Sequence, residues 1–154
     1  MAIVRFVTGT GVGSAAIQWW TSSPYSHVEF WTPNGYLGAR YDGGVQVRPF
    51  DYTPVVAEEF RQYALPPEAE AALAQWLTQQ IGKDYDWLAI LAFPVHRDWK
   101  SEDDWFCSEL VAAAFTAAGY PILNPATKVS KITPRDVALS MLLAPCAKPS
   151  ATSP

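Results

Sequence analysis

The stretch YSHVEFW, Tyr25 to Trp31, alternates strictly, with Tyr25, His27, Glu29 and Trp31 on one side of an extended chain and Ser26, Val28 and Phe30 on the other. It is a strand, and its surroundings extend it into a sheet. TPNG (32–35) supplies the turn residues for a hairpin into YLGARYD (36–42), and the glycines at 43 and 44 open a further strand, VQVRPF (45–50). Together these make an antiparallel meander, with VVAEEFRQYAL (55–65) expected as its fourth strand. Upstream, AIVRFV (2–7) is a short strand broken by TGTGVG. Gly9, Gly11 and Gly13 lack the third-glycine spacing of a dinucleotide fingerprint, and no acidic residue follows at the required distance. An apolar turn or short helix is expected from Ser14 to Trp20.

After Pro66 and Pro67 the apolar period changes from two to nearly four. Ala69, Leu73, Trp76, Leu77 and Ile81 fall on one helical stripe, and Gly82 stands where a helix stops. KDYD then leads into WLAILAF (87–93), expected as a short helix capped by Asp84 or Asp86 and ended before Pro94. A further helix from Cys107 to about Ala118 buries Leu110, Val111, Ala114, Phe115 and Ala118 and stops at Gly119. ITPRDVALSMLL (132–143) is a last helix or turn. The pattern is that of one α+β domain, residues 1–144, with helices packed on an antiparallel β-sheet, followed by a flexible tail at 145–154.

A chain of 154 residues with 49% hydrophobic and 17% charged residues can bury a real core. Its net charge is −4 and its eleven Lys and Arg are scattered, so there is no footprint for tracking phosphates, and nucleic acid is not an expected partner. The apolar run at the N-terminus is short and interrupted by Arg5, and no 18-residue apolar stretch occurs, so neither a secretory signal nor stable membrane insertion is expected. A cytoplasmic protein is expected, with export by a separate route left open. Its two cysteines, Cys107 and Cys146, do not make a disulfide scaffold. Seven each of Trp, Tyr and Phe is a heavy aromatic load, and Trp19, Trp20, Tyr25, Trp31 and Tyr36 crowd one region that is either core or the lining of a groove.

Cys107 opens its helix close to the buried stripe, which suits a packed thiol. The same position lies where unsatisfied N–H groups and the positive end of the helix dipole stabilise an anion, which suits a nucleophile. Of the two histidines, His27 is held mid-strand, whereas His96 lies in FPVHRDW with no regular element to fix it, so His27 is the better general base. Two histidines and one nearby thiol fall short of the four ligands of a structural zinc site, and neither a metal nor another cofactor is expected. Glu109 is expected to complement the helix dipole, Asp84 and Asp86 to cap, and Tyr85 to serve the core or a cleft wall.

SAAIQWWTSSPYSHVEF (14–30) resembles the first signature of the circularly permuted papain-like, or permuted NlpC/P60, cysteine hydrolases, a group that includes the YiiX-like and LRAT-like proteins. IGKDYDW (81–87) followed by WFCSELVAAAF (105–115) is similar to the second signature, and ITPRDVALS (132–140) to the C-terminal element. The order, histidine first and cysteine last, is the permuted one. The resemblance implies a fold in which the cysteine-bearing helix crosses an antiparallel sheet and sets Cys107 against His27. It also implies amidase or peptidase chemistry through an acyl-enzyme, with peptidoglycan-type peptides as one substrate class. Acyl lipids are the alternative substrate, and a non-catalytic binding module that keeps the cleft is the alternative function.

The backbone N–H of Cys107 would hold the oxyanion, with Gln18 and Tyr25 as candidate second donors and Tyr85 as a substrate contact. One departure from the family pattern concerns the group that orients the histidine. That group usually stands on the following strand, where YLGAR offers Gly38 and Ala39. Glu29 is the expected replacement, although two residues along a strand span about 6.6 Å. Asp42 and Arg40 are the other options.

Overall fold

The computed structural model describes residues 1–84, 106–124, 126–127 and 132–150. Six strands, β1 (Ala2–Gly9), β2 (His27–Thr32), β3 (Gly35–Arg40), β4 (Gly44–Arg48), β5 (Val55–Tyr63) and β6 (Ala144–Cys146), form one antiparallel sheet in the order β4-β3-β2-β1-β5-β6. Among the described residues four helices accompany them, α1 (Val12–Thr21), α2 (Pro67–Gln80), α3 (Cys107–Ala117) and α4 (Pro134–Ala138). The α+β architecture inferred from the sequence is the one observed.

The meander β2-β3-β4 forms as expected, but β5 does not continue it. VVAEEFRQY pairs instead with β1, Arg5 opposite Phe60 and Val7 opposite Glu58. The outer edge of β4 is already occupied, since Val45 N–H bonds the Lys83 carbonyl and Gly82 N–H bonds the Val45 carbonyl, 2.9 Å each. Residues 49–54 therefore carry the chain across the sheet as a strap and deliver β5 to the free edge of β1, where its backbone groups find partners.

The expected tail also starts differently. Ala144 to Cys146 pair with β5, Cys146 opposite Phe60, which satisfies an edge that would otherwise stand open. Two residues on, Lys148 Nζ reaches Glu58 Oε1 at 2.7 Å. The tail is thus tethered at its root.

One sheet face carries the main core. Leu110, Val111, Ala114 and Phe115 of α3 are wholly buried together with Val28, Phe30, Leu37 and Ala39 of the sheet. The Phe115 ring lies 5.5 Å from that of Phe30 and 5.9 Å from that of Tyr63. Buried side chains of this size stabilise the fold by roughly 1.5–3 kcal/mol each. Behind α3, α2 buries Ala69, Leu73 and Leu77, while Ile81, expected on the same stripe, ends the helix and is exposed. α3 stops through paired bonds, Tyr120 N–H to the Phe115 carbonyl and Gly119 N–H to the Thr116 carbonyl, which need the positive φ of 81° that Gly119 adopts. α4 begins with a capping box between Thr133 and Asp136.

The other face is covered as well, by the strap. Phe50 packs against Trp31 and, edge-on, against Tyr36 at 5.1 Å, and Tyr52 lies 6.3 Å from Tyr36. Glu29 is consequently buried rather than solvated. Among the described residues no helix is long and apolar enough to cross a membrane.

Candidate active site

The first turn of α3 meets the beginning of β2. Phe106, in extended conformation, precedes the helix, and as N-cap its own side chain supplies no capping hydrogen bond to the first turn around Cys107. Cys107 is only 1% exposed and belongs to the apolar cluster, yet it lies near enough to His27 to act on the imidazole's protonation. A packed position and a neighbouring imidazole are therefore not alternatives here.

His27 Nε2 lies 3.2 Å from Glu29 Oε2. A carboxylate only accepts, so Nε2 must carry the proton and Nδ1 is the nitrogen left to serve the thiol. The span of about 6.6 Å between neighbours on one strand face is bridged by the length of the glutamate side chain. Burial alone would lower the pKa of His27, but the charge and hydrogen bond of Cys107, followed by those of Glu29, outweigh it and raise the imidazole to about 9.

Glu29 itself is wholly buried and held from three sides. Arg5, directly opposite on β1, donates Nη1 to Oε1 at 2.8 Å, and the Tyr52 hydroxyl donates to Oε2 at 3.1 Å. Burial works against the carboxylate's ionisation, yet the contact with His27 and then the guanidinium of Arg5 hold its pKa below the ordinary value. Arg5 is in turn fixed by Glu58 at 2.7 Å and lies over the Tyr36 ring at 4.0 Å. Charges of alternating sign thus run from the imidazole of His27 through Glu29, Arg5 and Glu58 to Lys148.

The vacancy on β3 has a steric counterpart. A Cβ at Gly38 would fall 2.8 Å from Glu29 Cβ and 3.6 Å from Oε2. The space a β3 side chain would use to reach the histidine is filled by Glu29, approaching from the histidine's own strand. Asp42 and Arg40 lie elsewhere, Asp42 pairing with Arg40 at 3.1 Å and with Arg48 at 3.5 Å.

The two expected side-chain oxyanion donors have other commitments. The Tyr25 hydroxyl donates to the Glu59 carboxylate, which also binds Arg61, and the Gln18 amide donates to the Gly9 carbonyl at 3.4 Å. Glu109 is buried in the first turn of α3. Asp84 is exposed, whereas Tyr85, Asp86, His96 and the helix expected at 87–93 lie outside the described residues. Sequence reasoning missed Arg5 and Tyr52 as part of this site. A charge in the middle of the apolar run AIVRFV was the signal for Arg5, because a buried arginine requires a buried partner.

No protein-family model matches the chain, and no curated protein matches it. Its architecture is similar to the crystal structure of the metalloprotein yiiX from Escherichia coli O157:H7, with a TM-score of 0.75 over 96% of each chain and 21% sequence identity. The two chains share a fold. That fold is the papain-like arrangement of an antiparallel sheet packed by helices that the sequence signatures implied. Metal binding is a property named for the E. coli protein. Here, among the described residues, no group of three or more His, Cys, Asp or Glu side chains is placed to hold a metal ion. Glu29, the carboxylate nearest His27, spends its oxygens on Arg5, His27 and Tyr52.

Proposed function

We propose that the protein is a thiol hydrolase of the amidase or peptidase type, with Cys107 as nucleophile, His27 as general base and acid, and Glu29 as the group that orients His27. The observation that carries this is the nearness of His27 to the buried Cys107 at the start of α3, with the other imidazole nitrogen, Nε2, held by Glu29 at 3.2 Å. The thiolate attacks the carbonyl carbon, forming a C–S bond and an oxyanion that the N–H groups of the first turn of α3 would receive. His27 then gives its proton to the leaving nitrogen as the C–N bond breaks. Water hydrolyses the resulting thioester, delivering a proton to His27 and releasing the thiolate.

Ionisation supplies a small part of the rate. An unperturbed thiol is about 3% ionised at pH 7, so full ionisation gains roughly 30-fold, against the 10⁶-fold at which enzymatic accelerations begin. Positioning and the oxyanion site carry the larger share. An amide in a small peptide is the proposed substrate, with peptidoglycan-type peptides as the class suggested by the sequence resemblance.

A second reading, an acyl lipid as substrate, draws on α1, which leads into the site strand without a single charge and leaves Val12 89% and Trp19 79% exposed. The binding-module alternative arose from the missing orienter on β3, and the Glu29 contact speaks against it.

The test is iodoacetamide alkylation of Cys107 and Cys146 against pH, followed by mass spectrometry, in the wild type and in His27→Ala. Cys107 reactivity that persists well below pH 8 and collapses in the variant is the expected result, and peptide and lipid-ester substrates then separate the two substrate readings. Equal, ordinary behaviour of both thiols would overturn the proposal.

A further inference from the structure

A full negative charge beside the imidazole helps one half of a cysteine hydrolase cycle and hinders the other. In the free enzyme, the protonated form of His27 that Glu29 favours is the partner of the thiolate. In the acyl-enzyme the sulfur carries no charge, and His27 must be neutral at Nδ1 to accept a proton from the attacking water. A carboxylate with nothing else to bind would keep the ring protonated and stall that step. Glu29 has other partners. Its Oε2 receives the Tyr52 hydroxyl at 3.1 Å as well as His27 Nε2 at 3.2 Å, and its Oε1 receives Arg5 at 2.8 Å.

Tyr52 is well fixed for this. Its N–H closes a turn onto the Pro49 carbonyl at 3.1 Å, and its ring lies 5.0 Å from the Arg40 guanidinium and 5.8 Å from that of Arg48. Arg40 Nη1 donates to the phenolic oxygen at 3.4 Å, which leaves the hydroxyl proton aimed at Glu29. Among the described residues, the charged and titratable groups facing the pair are these, by element. Cys107 faces His27 from α3. Arg5 from β1, backed by Glu58 and Tyr36, faces Glu29 together with Tyr52, and Arg40, Arg48 and Asp42 stand behind Tyr52.

We propose that Tyr52 is a positioning residue acting through Glu29: its hydroxyl draws charge away from the oxygen that faces His27, so that the imidazole can return to its neutral form and promote hydrolysis of the acyl-enzyme. This rests on the cysteine hydrolase reading above. In the step concerned, water adds to the thioester carbonyl carbon, its proton passes to His27 Nδ1, the C–S bond breaks, and the sulfur leaves as the thiolate.

The test uses Tyr52→Phe, which keeps the ring and removes the hydroxyl. NMR titration of the His27 ring in a Cys107→Ala background, which lacks the sulfur charge as the acyl-enzyme does, should show the His27 pKa rising by about half a unit or more when Tyr52→Phe is added. Deacylation at neutral pH should slow by roughly three-fold or more, its pH limb moving upward by the same amount, while alkylation of Cys107 by iodoacetamide changes by less than about two-fold. A variant that loses thermal stability with an unmoved or lowered His27 titration overturns the proposal. Inertness of wild-type Cys107 to iodoacetamide would instead remove the hydrolase reading beneath it.

Discussion

Replacing Glu29 by glutamine changes one atom and removes one charge, and the three contacts of this side chain set the consequences. Arg5 Nη1 at 2.8 Å requires an acceptor at one terminal atom, and His27 Nε2–H and the Tyr52 hydroxyl, at 3.2 Å and 3.1 Å, require one at the other. An amide offers a single acceptor. If its oxygen stays with Arg5, its NH₂ group faces His27 and is satisfied only when Nε2 gives up its proton, which moves that proton to Nδ1 and leaves nothing to take the proton of the thiol. If the oxygen turns to His27, the NH₂ group faces a buried guanidinium. Arg5 still keeps Glu58 at 2.7 Å, so the cost of the unbalanced pair should fall below the 3–5 kcal/mol of a fully broken buried ion pair. About 2 kcal/mol is expected, a fall in Tm of roughly 4–8 °C for a chain of this size. Cys107 alkylation at pH 7 should drop by up to about 30-fold, the limit set by returning a fully ionised thiol to ordinary behaviour. Turnover should drop further, because orientation is lost as well. The assay is the second-order iodoacetamide rate from pH 5 to 9 beside a melting curve for each protein. An unchanged profile in a folded variant would refute the orienting role of Glu29.

Three further outcomes are expected. Gly38→Ala should disturb the site through Glu29, because the new Cβ meets Glu29 Cβ at 2.8 Å; overpacking of about 1–3 kcal/mol and weaker Cys107 alkylation at pH 7 should appear together, and a stabilised, fully reactive variant would contradict this. The raised pKa of His27, about 9 against 6.5, means that its contribution to stability is complete below pH 6.5 and is lost as pH rises through 9; the fall in Tm over that window should flatten in His27→Gln, as pH-dependent calorimetry would show. Phe115→Ala opens a cavity between Phe30 and Tyr63 and should cost about 3–5 kcal/mol in a denaturant titration.

The local elements were legible wherever one physical signal dominated. Period two gave β2, period near four gave α2 and α3, and the glycines at 82 and 119 marked their ends with positive φ. What escaped was long-range. The β1–β5 pairing depends on which sheet edge is already taken, and the contacts of Val45 with Gly82 and Lys83 that occupy β4 join residues with no local pattern in common. The burial of Glu29 has the same long-range origin, since the Phe50–Tyr52 strap folds back over that face of the sheet. At the site, Cys107 and His27 were legible from residue type, from their place in their elements and from the family signatures. Tyr52 was not, because a tyrosine in a Pro-flanked turn carries no mark of what its hydroxyl will reach.

Gly38 and Glu29 make sense only as a pair. Read strand by strand, the glycine is a missing residue and the glutamate a misplaced one, and either alone argues for a site that has decayed. Across the antiparallel register the two are neighbours, and the missing Cβ is the room the glutamate occupies. The arrangement is not neutral in charge, however. It puts a carboxylate, acceptor only, next to the imidazole, and a wholly buried carboxylate is stable there only with compensation. Arg5 supplies it from β1 and Tyr52 from the strap. An arginine inside an otherwise apolar strand, a glycine at position 38 and a tyrosine in a turn are therefore physically coupled through one buried carboxylate, Glu29.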